Sequence, residues 1–311
     1  MKAIVINEYG DKRVLQEEEI SKPVIKENQV LVEVHATSIN PIDWKMRAGY
    51  LKEMLDFSFP IILGWDVAGT IVEVGSQVQN FKIGDEVFAR PDTTNEGTYA
   101  EFTTVDENLL AKKPKNITFE EAASVPLAGL TAWQCLVDFT KVQKDDKVLI
   151  HAGAGGVGSL AIQIAKHLGA YVATTASEKN AAYMKELGAD QIINYQTQDF
   201  AEELNNFDVV LDTMGGEILN KSFTVLKPKG RLVTIAGQPD QTLAEKYQIE
   251  ASGYWLNPDG KQLSELGKLL DNGIVQPQVG HVFGFSEEEM KEAHALSETH
   301  HAKGKIVIKV K

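Results

Sequence analysis

The chain has 311 residues, is 43% hydrophobic and 24% charged, and carries 31 basic against 44 acidic side chains, a net charge of −13. Such a composition describes a globular protein of about two domains, and an acidic excess without a local basic patch excludes nucleic acid and anionic membrane as expected partners. One cysteine, Cys135, excludes an intrachain disulfide and any multi-cysteine zinc site; with no apolar run of the ~18 residues that span a membrane, and no leader pattern in MKAIVINEYG, a cytoplasmic setting is expected.

Up to about residue 115, β-rich runs such as VLVEVHAT, GTIVEVG and DEVFAR are separated by Gly, Pro, Asn and Asp, the texture of a compact barrel-like β domain. Gly69, Gly75 and Gly84 read as its turns. From about residue 120 to 255 strand and helix patterns alternate, which predicts a parallel sheet covered by helices. LTAWQCLVDF gives Cys135 the setting of a buried helical thiol, with no histidine near it in sequence. The tail ends in KIVIKV, a strand pattern that returns to the first domain. The expected division is 1–120, 121–270, and 271–311 rejoining the first part.

The clearest chemical signal is HAGAGGVGSLAIQIAKHLGA, after the strand pattern KVLIHA. Gly153, Gly155 and Gly158 stand in G-x-G-x-x-G register, and Val157, Leu160, Ala161, Ile164, Ala165 and Leu168 then recur on one helical face. Glycines let such a turn approach a pyrophosphate, which the free N–H groups of the helix start bind. AYVATT, QIINY, FDVVLDT and RLVTIAG continue the succession of strands, so the motif reads as a dinucleotide site.

The choice of dinucleotide falls at the end of the second strand. An acid about 20 residues on would accept hydrogen bonds from the ribose of NAD. Thr175 stands there instead, and Thr174, Thr175, Ser177 and Lys179 offer hydroxyls and a cation to a 2′-phosphate, which favours NADPH. Glu178 is the exception in this group. Ser177 and Lys179 also read as a helix N-cap and a solvated lysine.

SINPIDWKMRAGY, GWDVAGTIVEVG, FKIGDEVFA, PLAGLTAW, HAGAGGVG, KELGAD with INY after it, and GKIVIKV together resemble the medium-chain dehydrogenase/reductase superfamily, in its zinc-independent, quinone oxidoreductase-like branch. The resemblance covers nearly the whole chain. It implies an α/β protein with a GroES-like β-barrel catalytic domain plus a Rossmann doubly wound parallel-sheet domain, and an active-site cleft where they meet. It also implies a homodimer joined through the Rossmann domains, with YQIEASGYWL as the candidate edge. Asn40 and Thr131 are implied beside the nicotinamide ribose and ring, Gly155, Gly156 and Val157 at the pyrophosphate, and Tyr195 beside the adenine-side ribose and phosphate. Thr213, Gly237 and Lys305 are implied less directly. Asn40 also suits a turn, Thr131 a helix cap, Tyr195 a strand end and Lys305 a solvated strand start.

The sequence departs from the zinc-dependent members of that superfamily. Asn40 stands where their catalytic cysteine would be, and GWD at Gly64 to Asp66 replaces their Gly-His-Glu. A metal-free site is expected. Without a Lewis acid a simple alcohol is hard to activate, whereas a quinone, enone or enal accepts hydride into its electron-poor π system. The expected function is therefore NADPH-dependent hydride transfer to a quinone or other α,β-unsaturated carbonyl. Reduction of enone or enal double bonds, or a low-turnover NADPH-binding protein, are the alternatives. Asn40 and Tyr50 are the candidate catalytic residues; Asp43 and Tyr50 are the nearest ionisable groups for the proton, with water as another source. Trp44, Trp65 and Phe57 read as core before they read as a substrate slot.

Overall fold

The computed structural model describes residues 1–311, which form two units: Met1–Leu130 with Pro258–Gly273 and Pro277–Lys311, and Thr131–Asn257 with Ile274–Gln276. The sequence reading divides the chain at 120/121 and 270/271. The first unit instead keeps the chain as far as Leu130 and takes back the segment from Pro258.

The first unit contains β1 (Lys2–Ile6), β2 (Gln16–Glu19), β3 (Gln29–Ile39), β4 (Ile61–Ile62), β5 (Val67–Val74), β6 (Glu86–Ala89), β7 (Phe102–Asp106), β8 (Leu110–Lys112), β15 (Val279–Gly284) and β16 (Lys305–Lys309). One sheet runs β15–β16–β3–β5–β6–β8, with β7 also on β3, and a second runs β2–β1–β4. β3 organises the larger sheet because Val30, Val32 and Val34 alternate into a core with Val67, Ile71, Val87 and Val105. The tail does return as expected: β16 pairs antiparallel with β3, Ile306 opposite Ile39. Gly84 is a turn with φ +89°, but Gly69 lies inside β5, where a Cβ would sit 2.0 Å from the Glu33 carbonyl oxygen. Its role is close strand approach rather than a turn.

Helices of this unit are α1 (Pro41–Arg47), α2 (Phe119–Ala123), α9 (Gly260–Asp271) and α10 (Glu287–Glu298). α9 packs on β8, and at its start a Cβ on Gly260 would lie 2.5 Å from the Asn108 carbonyl oxygen. That fit explains why Pro258–Gly273 belongs to the first unit. α3 (Pro126–Trp133) carries the chain across the boundary at Leu130.

The second unit is a parallel sheet of β9 (Lys147–Ile150), β10 (Tyr171–Ala176), β11 (Gln191–Asn194), β12 (Phe207–Asp212), β13 (Leu226–Thr234) and β14 (Glu250–Gly253). Its order, β11–β10–β9–β12–β13–β14, is the doubly wound order, with the reversal between β9 and β12. The candidate dimer edge, β14, is an outer strand. Connecting helices are α4 (Gly156–His167), α5 (Ala181–Glu186), α6 (Phe200–Glu203), α7 (Gly216–Ser222) and α8 (Gln241–Tyr247). α4 is buried on more than the expected face: Ser159 and Gln163 are buried too, and Gln163 exchanges hydrogen bonds of 3.1 and 2.8 Å with the backbone of Gln276. That exchange ties Ile274–Gln276 to this unit. Cys135 lies in a π-helical turn, Gln134–Phe139, and burial pushes its thiol up to about 12. No helix is long and apolar enough to cross a membrane.

Candidate active site

Two sites of different construction emerge, one in each unit. In the first, β3 ends at Ile39 and α1 begins at Pro41, with Asn40 between them as the N-cap. Proline at the first helical position fits because its missing N–H would have no intrahelical partner. The β16 register, continued one step past Ile306 opposite Ile39, brings Lys305 to Asn40. Both side chains are buried, at 2% and 5% exposure.

Asp66, fully buried before β5, is the centre of this cluster. Its Oδ2 accepts from Ser38 Oγ at 2.6 Å, Asn40 Nδ2 at 2.7 Å and Lys305 Nζ at 3.3 Å, and its Oδ1 from the Leu127 N–H at 2.7 Å. Lys305 Nζ donates as well to the Ile39 carbonyl at 3.1 Å and to Asn40 Oδ1. Opposite charges thus hold the two ends of the Asn40 amide and fix which end is which. One N–H of that amide is left over by the Asp66 carboxylate. Asp43, also fully buried, accepts the Asn40 N–H at 2.8 Å and the Tyr99 hydroxyl at 2.7 Å. Burial pushes its carboxyl up to about 7, against the pull of those two donors and of Lys305.

In the second unit the site is made of backbone. β9 leads into the glycine turn, and a Cβ on Gly153 would meet Thr174 Oγ1 at 2.1 Å, while one on Gly158 would meet the Ala152 carbonyl oxygen at 2.5 Å. These glycines let α4 sit close to the sheet. Gly155 differs: the nearest atom to its Cβ position is 3.4 Å away, and it is the N-cap of α4. The first N–H groups of α4, at Gly156, Val157 and Gly158, have no intrahelical acceptor. Such a turn fits a pyrophosphate.

The end of β10 divides the residues expected at a 2′-phosphate. Thr174 is fully buried and its hydroxyl donates to the Ile150 carbonyl at 2.8 Å. The Thr175 hydroxyl accepts the Ala152 N–H at 3.0 Å and lies 3.3 Å from His151 Nδ1. Both hydroxyls are engaged inside the sheet and support the glycine turn. Ser177 caps the short turn after β10 without a side-chain cap bond, and Lys179 beside it is exposed. Glu178 is held by Asn194 Nδ2 at 3.1 Å, and Tyr195 is 56% exposed at the end of β11. His151, buried between Ser222 and Thr175, is pushed down to about 4 by burial and stays neutral.

The remaining expected residues are placed as follows. Thr131 is buried in α3. Thr213 and Gly237 follow the C-terminal ends of β12 and β13; the Thr213 hydroxyl donates to the His151 carbonyl at 3.0 Å, and Gly237, at φ +154°, has open space where a Cβ would be. Tyr50 is 73% exposed, its ring edge-on to Trp44 with centroids 6.2 Å apart. Trp65 is core, and Phe57 packs against the same cluster. Ser38 and Tyr99 carry no local sequence signal. Asp66 as a lone acid beside apolar VAGTIV was the cue available for it.

No three His, Cys, Asp or Glu side chains come together in a way that could hold a metal ion. At the position of the zinc-dependent members' Gly-His-Glu, the Asp66 carboxylate is closed off by an ammonium and by hydroxyl, amide and backbone donors. This donor set does not fit a divalent cation.

A buried charge cluster at the end of a barrel strand, in a chain that also carries a glycine turn on a doubly wound sheet, defines a two-domain nicotinamide-dependent dehydrogenase or reductase. Residues 26–115 match the alcohol dehydrogenase GroES-like domain, and residues 187–308 match the family described as zinc-binding dehydrogenase. The NADPH-dependent alkenal/one oxidoreductase, chloroplastic, of Arabidopsis thaliana is 38% identical over 319 residues, 99% of this chain and 79% of that protein. The NAD(P)H oxidoreductase RTN4IP1, mitochondrial, of Danio rerio is 35% identical over 356 residues, 100% of this chain and 91% of its own length. A solved quinone oxidoreductase from Coxiella burnetii superposes with a TM-score of 0.91 at 38% identity, covering 100% of this chain and 99% of that one. The chain belongs to the medium-chain dehydrogenase/reductase superfamily, in its zinc-independent, quinone oxidoreductase-like branch. One expectation is corrected. The cytoplasmic setting rested on the absence of a leader or span, but relatives across nearly the whole chain carry chloroplastic and mitochondrial names.

Proposed function

We propose that the chain is an NADPH-dependent, metal-independent oxidoreductase of conjugated carbonyl compounds, namely quinones and α,β-unsaturated aldehydes or ketones. NADPH, when bound, supplies a hydride to an electron-poor carbon. The observation that carries the reading is the closed Asp66 cluster. Ser38, Asn40, Lys305 and the Leu127 N–H occupy the carboxylate, so the site polarises a substrate by hydrogen bonding. A conjugated acceptor needs no more than a donor at its developing oxyanion.

In this reading Gly155, Gly156 and Val157 bind the pyrophosphate through backbone N–H groups. Ser177 and Lys179 take the 2′-phosphate, and Tyr195 lies along the adenine-side ribose. Asn40 and Thr131 serve the nicotinamide end, Asn40 through the one amide N–H that Asp66 leaves free. The alkenal/one name of the Arabidopsis relative supports reduction of the carbon–carbon double bond as one form of the activity. The test is NADPH oxidation with a panel of quinones, enals and enones. Acceptor-dependent oxidation is expected for several of them, and none across the panel sinks the reading.

A further inference from the structure

The proposed hydride transfer leaves Asp43 without a task, since a fully buried carboxyl does not reach a substrate. Its surroundings are nonetheless highly ordered. Arg47, on the same helix, donates to the Gly10 carbonyl at 3.2 Å and to Glu298 at 2.7 Å, and lies 2.9 Å from His294 Nδ1. A guanidinium carries only donors, so Nδ1 accepts and the imidazole proton sits on Nε2. That N–H faces the Tyr99 hydroxyl oxygen at 3.3 Å, which leaves the phenol's own proton for Asp43 Oδ2 at 2.7 Å. The same Oδ2 accepts the Asn40 backbone N–H at 2.8 Å. The direction of each bond is therefore dictated from Arg47 inward to Asn40.

We propose that Asp43 is the positioning residue for Asn40, and that the Arg47–His294–Tyr99 chain holds it as a charged acceptor, so that protonating Asp43 loosens Asn40 and slows hydride transfer. The proposal rests on Asn40 serving the nicotinamide end. Asp43 Oδ1 has no partner, so it takes up the proton while both bonds to Oδ2 persist without their charge assistance. Burial pushes Asp43 up to about 7, with Asp66 acting the same way and Tyr99, Asn40 and Lys305 opposing. Buried Arg90 is a further cation whose field Asp43 shares. His294 is pushed down to about 3 by burial and by Arg47, so it stays the neutral link that the bond directions require. Tyr99 is held well above the usual phenol range and stays a donor. The Asp11–Arg13 pair, on the short turn against α1, is exposed and closed on itself.

Two readouts on the full chain test this: the pH profile of kcat/KM with a conjugated acceptor, and the amide signal of Asn40 in the NADPH-free protein by NMR. Wild type should lose about tenfold in rate per pH unit below about pH 7, and the Asn40 signal should titrate over the same range. Asp43→Asn should give a flat profile at the low rate of the protonated enzyme. Tyr99→Phe, which keeps the packed ring but removes the donor that favours the carboxylate, should move both midpoints up by about one unit. His294→Gln should keep the wild-type midpoint, because its amide accepts from Arg47 and donates to Tyr99. An Asn40 signal that is flat from about pH 5 to about pH 9, or a Tyr99→Phe midpoint that does not move, overturns the proposal. If Asn40 titrates as expected and no acceptor is reduced, the positioning chain stands and the reductase reading is what fails.

Discussion

The two units solve opposite problems with opposite materials. Around the glycine turn the groups on offer are backbone N–H groups, and close packing depends on the side chains that are missing at Gly153 and Gly158. Around Asp66, buried polar and ionic side chains from β3, the cap of α1, β16 and the segment before β5 hold one another, with the Ile39 carbonyl and the Leu127 N–H as backbone partners. Packing at the first kind of site is most sensitive where a Cβ would intrude, at Gly153 and Gly158. The second depends on every partner, because a buried charge left alone is costly.

That contrast is sharpest at Lys305. Lys305→Met leaves Asp66 buried without its cation and should destabilise the chain by about 3–5 kcal/mol, read by chemical denaturation; a loss below about 1 kcal/mol would break the comparison. In the second unit, Gly158→Val pushes into the Ala152 carbonyl and should cost about 1–3 kcal/mol together with NADPH binding. Gly155→Ala, where space is open, should leave stability within about 0.5 kcal/mol and still weaken NADPH. If Gly155→Ala binds NADPH as wild type does, the pyrophosphate does not lie at this turn. The smallest effect is expected at Lys179. Lys179→Ala should weaken NADPH by about 1.5 kcal/mol, roughly tenfold, and barely change NADH binding in parallel titrations. Equal losses for the two cofactors would remove Lys179 from the 2′-phosphate.

The same division decides what was legible in the sequence. The glycine turn, α4 and the alternation of strands and helices are local patterns, and KIVIKV gave away its return because a short β-branched run has only a sheet to join. Asp66 and Lys305 are 239 positions apart, and nothing in either neighbourhood names the other. Tyr99 and His294, 195 apart, were invisible for the same reason. Thr174 and Thr175 show a subtler limit. Their position at the strand end suggests a cofactor contact, but strand end says nothing about where a hydroxyl turns, and both turn toward backbone and His151. Gly69 was misread because a strand-interior glycine and a turn glycine look alike until the neighbouring strand is in place.

Cys135 gains meaning from the company it keeps. Quinones and enals alkylate thiolates, so an enzyme that handles them is exposed to covalent attack by its own substrates. The chain's one thiol is walled in at 0% exposure and held up at about 12, where almost no thiolate exists to react. The fold therefore leaves cysteine alkylation closed as a route of self-inactivation during turnover.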